Sequence, residues 1–178
     1  MSEADDLVNE SAEEAHSSFD RYVAVTMAIL AVLLASDSLF SHRAHTEELL
    51  NQAQASDQWA FYQAKTIRRA VYDATGQVAG LTTGPSAPKA EAVVKAFEAS
   101  VARYEKEAEA IQEDAKKFEE ESKLFGRRAN RYDIGEIFLE ISIVLCSMAI
   151  MTKRRMLWLG SMAIGAVGVI VALTVLTL

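Results

Sequence analysis

The stretch "YVAVTMAILAVLLASDSLF", residues 22–40, decides how the rest of the chain is read. It carries one charge, Asp37, near its end. A helix needs about 20 apolar residues to cross the hydrocarbon layer, so this run reads as a transmembrane helix. The alternative is a cleaved signal peptide, which requires a basic approach and a shorter apolar core. Here the approach is acidic: residues 1–21 hold Glu3, Asp5, Asp6, Glu10, Glu13, Glu14 and Asp20 against Arg21 alone. Two further runs follow the same pattern. "IGEIFLEISIVLCSMAIMT" (134–152) contains Glu136 and Glu140 in its first half, and "MLWLGSMAIGAVGVIVALTVLTL" (156–178) contains no charge. Only Lys153, Arg154 and Arg155 separate them, which makes a helical hairpin in the membrane the preferred reading. The expectation is an all-α integral membrane protein with three spans.

Charge sets the orientation. A short basic turn belongs on the cytoplasmic side of a membrane. With 153–155 placed there, the tail 1–21 is cytoplasmic and residues 41–133 lie outside. The overall composition excludes nucleic acid as a partner, because a formal net charge of −7 leaves no basic surface to displace counterions. The single cysteine, Cys146, rules out an intrachain disulfide.

Residues 41–133 read as two helical arms around a turn near 80–88, where Gly80, Gly84, Pro85 and Pro88 interrupt the pattern. On the first arm, Asp57, the one charge of the seam, and the apolar Ala60, Ala64, Ile67 and Val71 recur at alternating steps of three and four. The second arm repeats the alternation through Phe97, Tyr104, Ile111, Phe118 and Phe125. Sustained spacing of this kind points to coiled-coil packing, so an antiparallel coiled-coil hairpin is expected, a stalk of roughly 60 Å at 1.5 Å per residue. Nothing breaks the helix between spans one or two and the arms.

A seam through Asp57 and Ala60 leaves Trp59 and Tyr62 on the opposite side, where a two-helix hairpin offers nothing to cover them. Tolerated surface aromatics are the plain alternative. The stronger reading is contact with a second copy of the chain. Small-residue stripes in the spans support it, because they let helices approach closely in lipid: Ala24, Ala28, Ala31 and Ala35 in span one, and Ser161, Gly165, Gly168 and Ala172 in span three. The expected partners are therefore the bilayer and the protein itself, as a cyclic homo-oligomer, with an unidentified membrane or periplasmic protein as a further candidate.

"DQWAFYQAK" (57–65), followed by "RYDIGEIFLEISIVL" (131–145) and the basic turn, resembles an uncharacterised bacterial family of small three-span membrane proteins, a domain of unknown function. The resemblance implies a bacterial inner-membrane location and no assigned activity.

Candidates for chemistry are few. There is no nucleophile triad, phosphate loop or zinc spacing, so no catalytic, cofactor-binding or metal role is expected. His42 and His45 read as solvated residues at the membrane edge. Asp133, Glu136 and Glu140 step along one face into span two, with Asp37 at the matching end of span one. Charges inside spans face a bundle interior or a water-filled cavity and are candidates for function. The alternative is pairing with arginines at the membrane edge. The expected function is a non-enzymatic homo-oligomeric scaffold or stalk. The alternatives are a cation channel with acidic rings from Glu136 and Glu140, and an accessory subunit anchoring a larger complex.

Overall fold

The computed structural model describes the backbone of residues 3–81 and 87–177, and the side chains of residues 18–81 and 89–177. Helix α1 spans Glu3–Gly80, α2 Ala87–Thr152 and α3 Arg155–Leu173, with a closing 3-10 turn at Thr174–Thr177. Among the described residues every regular element is helical. Each of the three helices contains a segment long and apolar enough to cross a membrane. Neither α1 nor α2 breaks where its apolar segment ends. Helix α1 also runs through Gly76 to Gly80, where the sequence suggested that the turn begins. Gly84 and Pro85 lie outside the described residues, and Pro88 falls in the first turn of α2, where a missing N–H costs nothing.

The chain divides into two units, one of residues 1–46 with 124–178 and the other of residues 47–123. The first packs parts of all three helices around Phe19, Val23, Leu30, Leu139, Cys146 and Ala149. Close approach depends on glycine. A Cβ on Gly165 would sit 2.7 Å from the end of Leu30 and 2.9 Å from Ser142 Oγ, and one on Gly168 would sit 2.9 Å from the Gly135 carbonyl. Buried polar atoms pair across the α2–α3 contact. Ser142 donates to the Ser161 carbonyl at 2.6 Å, and Cys146 Sγ meets Ser161 Oγ at 3.1 Å. Ser161, Gly165 and Gly168 are buried and Ala172 is half-buried within one chain. Their small size therefore serves packing inside the protomer, not the contact between copies that the sequence suggested. Ala24, Ala28, Ala31 and Ala35 are exposed.

Only Lys153 and Arg154 lie between α2 and α3, and Lys153 takes a left-handed conformation with φ 53°. So short a reversal demands that conformation despite the steric penalty for a side chain. Lys153 Nζ pairs with Asp20, and Trp158 donates to Thr26 Oγ1 while its ring meets Phe19 edge-on. The start of the first apolar segment and the basic turn therefore lie at the same end of this unit.

In the second unit the arms pair antiparallel. Trp59 Nε1 donates to Glu119 at 2.8 Å, Lys65 meets Glu107 at 2.5 Å, and Arg69 meets Glu105 at 2.8 Å. Tyr72 packs against Phe97 and Tyr104. The second arm presents the face expected from its spacing: Tyr104 is buried, and Phe97, Ile111, Phe118 and Phe125 are half-buried.

The first arm is turned the other way. Asp57, Ala60, Ala64, Ile67 and Val71 are exposed, Ile67 by 63% and Val71 by 58%. The face toward the second arm runs instead through Asn51, Ala55, Gln58, Tyr62, Lys65, Arg69, Tyr72 and Gly76. That face alternates by four and three just as regularly. Two physical features select it. Lys65, Arg69 and the Trp59 N–H answer the glutamates of the second arm, Ala55 (4% exposed) lets the arms approach, and Gly76 leaves room for the Phe97 ring. Small residues do face large ones, but on the more polar of the two stripes. Trp59 and Tyr62, in edge-on contact with each other, are consequently half-buried toward the second arm and not directed away from it.

Candidate functional site

The carboxyl cluster expected at the membrane edge lies within the first unit. Helix α1 places Asp37, Ser41 and His45 one turn apart on a single face, and α2 brings Asp133 and Glu136 alongside. Ser41 Oγ donates to Asp133 Oδ1 at 2.5 Å, and His45 Nε2 lies 3.1 Å from Asp133 Oδ2. Phe40 stacks on Tyr132 with ring centroids 5.9 Å apart. Burial pushes the Asp133 carboxyl upward, but hydrogen bonds from Ser41 and His45 outweigh it and hold the group below its ordinary 3.8.

Depth in the bundle separates the carboxylates. Asp37 is 5% exposed, Asp133 and Glu136 are half-buried, and Glu140, the one furthest along the span, is exposed on the outside of the helices. Glu136 and Glu140 thus occupy different environments within one chain. Asp37 Oδ2 is buried and meets no hydrogen-bond donor. It lies 3.1 Å from where a Cβ on Gly135 would stand, so glycine at that position makes its seat. Beside it opens a cavity of about 340 Å³ with mostly apolar walls, among them Leu33, Phe40, Leu139 and Leu173. Among the described residues, no three His, Cys, Asp or Glu side chains are grouped so as to hold a metal ion.

The partnership of Ser41 and His45 with the carboxylates is the feature that the sequence reading missed. Its signal was present in the spacing 37, 41, 45, which continues the face of Asp37 out of the span.

No curated protein and no solved structure matches the chain. The family described as "Domain of unknown function (DUF4337)" matches residues 19–178, which takes in all three apolar segments, both arms and the carboxyl cluster. The chain belongs to the DUF4337 family.

Proposed function

We propose that this protein is a non-enzymatic, homo-oligomeric scaffold of the bacterial inner membrane. In this reading the tail and the basic turn are cytoplasmic, and the arms form an extracytoplasmic coiled-coil stalk. One observation carries it: the stripe of the first arm that the second arm leaves uncovered. Leu50, Ile67, Val71, Val78 and Leu81 are each more than half exposed along that stripe. Flanking positions are uncharged at Gln54, Ser56, Gln63 and Gln77 and charged at Arg68, whereas the outer face of the second arm is dense in Glu and Lys. The spacing is that of a helix seam, so the occupant is another helix. Copies anchored in one bilayer share orientation and height, which sets this stripe against itself in parallel. Covering the exposed half of five large side chains contributes about 1 kcal/mol each, on the order of 5 kcal/mol per copy. That exceeds the repulsion of facing Asp57 side chains, about 1 kcal/mol in water.

The test is disulfide cross-linking in native membranes of Val71→Cys in a Cys146→Ser background. Oxidation yields covalent multimers if the stripes meet. A single monomer band, with native mass in mild detergent equal to one chain, rejects the reading. A stoichiometric foreign chain in the purified material favours the accessory-subunit alternative. The channel alternative draws on Glu140, an exposed carboxylate within an apolar span, which calls for a polar neighbour. Bilayer conductance that disappears in Glu140→Gln supports it, and silence at all voltages removes it.

A further inference from the structure

Asp37 is the one buried carboxyl among the described residues, and the groups around it offer no counter-charge. On α2 it faces Asp133 and Glu136, both acidic, and Gly135; on α3 it faces the region of the Gly168 carbonyl and Ala172. On α1 its own face continues through Ser41 to His45, whose partner is Asp133. An ionised carboxylate enclosed there, with Oδ2 unbonded and two like charges beside it, costs several kcal/mol. A neutral acid avoids that cost. We propose that Asp37 is a proton-binding site of the three-helix unit, a neutral acid held beside the bonded set of Ser41, Asp133 and His45.

His45 is about half exposed, and its Nε2 is in contact with Asp133 Oδ2. Asp133 Oδ1 is already bonded to Ser41 Oγ. With Asp133 so occupied, the proton is held on Asp37, and no electron moves. The walls of the cavity beside Asp37 are mostly apolar and offer the ionised form little polar solvation. The site lies within one chain and needs no assembly.

Dicyclohexylcarbodiimide tests the proton directly. This apolar reagent adds across a protonated carboxyl: the acid proton goes to a reagent nitrogen, a carboxyl oxygen bonds the central carbon, and nothing leaves. With the full-length protein in mild detergent, intact mass and peptide mapping are expected to show an adduct at Asp37. Its yield is expected to fall as pH is raised, and it is lost in Asp37→Asn. Labelling at Glu140 with none at Asp37 at any pH overturns the proposal. Asp37→Asn copies the shape of the neutral acid, so it is expected to keep the wild-type melting temperature at neutral pH; a clear drop shows that the charge was in use, and also overturns it.

Discussion

The α2–α3 contact makes the sharpest prediction, because two glycines on one helix meet opposite surroundings. Adding a methyl group at Gly168 places a Cβ 2.9 Å from the Gly135 carbonyl oxygen, 3.0 Å from Phe138 Cβ and 3.3 Å from Leu139 Cγ. The first is a backbone atom and the second is fixed to the backbone, so no rotamer change relieves the clash and the helices must separate. Adding the same methyl group at Gly160 meets nothing within 4 Å. Both changes gain the same helix propensity, up to about 1 kcal/mol. The propensity cancels in the comparison, and the difference reports the overpacking alone, about 1–3 kcal/mol. Thermal unfolding in detergent, followed by helical circular dichroism, is the assay. Gly160→Ala is expected to match or exceed wild type, with Gly168→Ala several degrees below it. Equal melting temperatures for the two variants would refute the close packing of α3 on α2 at this point.

Three further outcomes follow from the arms and the cluster. Ala55→Leu overfills the contact between the arms and is expected to cost about 1–3 kcal/mol, whereas Ala64→Leu, on the exposed stripe, stays within about 0.5 kcal/mol in the monomer; denaturant titration of the two variants distinguishes the stripes, and the reverse order restores the seam read from the sequence. Asp57→Ala removes a like-charge contact between parallel copies, so cross-linking through Val71→Cys is expected to rise; a decrease argues against parallel stripes. Asp133 is held below its ordinary 3.8, so its contribution to stability is complete above that value and disappears as pH falls through the lower folded value. Asp133→Asn should therefore flatten the acid limb of melting temperature against pH, by a small amount because the side chain is 41% exposed. An unaltered acid limb means that Ser41 and His45 do not favour the ionised form.

The apolar segments were legible because composition alone identifies a helix that can cross a membrane, and length and charge suffice for it. The inward face of the second arm was legible for a related reason: its apolar residues occupy one stripe, and its other positions are charged. The carboxyl cluster was half legible. Spacing put Asp133, Glu136 and Glu140 on one side of α2, but their depth depends on where α1 and α3 lie, which no single helix encodes. That is why Glu140 is exposed and Asp37 is enclosed. The glycines of α3 were recognised as places of close approach. Whether the approaching helix belongs to the same chain is a matter of tertiary arrangement, and Leu30, Ser142 and Gly135 supply the answer.

The first arm defeated the sequence reading for a more specific reason. Between Leu50 and Leu81 one helix carries two stripes, each stepping by three and four, and periodicity cannot choose between them. Hydrophobicity favours the stripe through Ala60, Ala64, Ile67 and Val71. The second arm selects the other, because its Glu105, Glu107 and Glu119 need Arg69, Lys65 and the Trp59 N–H opposite them. A polar pairing of this kind fixes register and partner within the chain. It also leaves the more apolar stripe exposed within the single chain, and exposed apolar stripes of this kind are a mark of interaction surfaces. "DQWAFYQAK" contains both choices in nine residues: Trp59 and Tyr62 turn toward the neighbouring arm, while Asp57, Ala60, Phe61 and Ala64 remain exposed. The alanines, not the aromatics, mark the surface on which this protein meets its next copy in the proposed assembly.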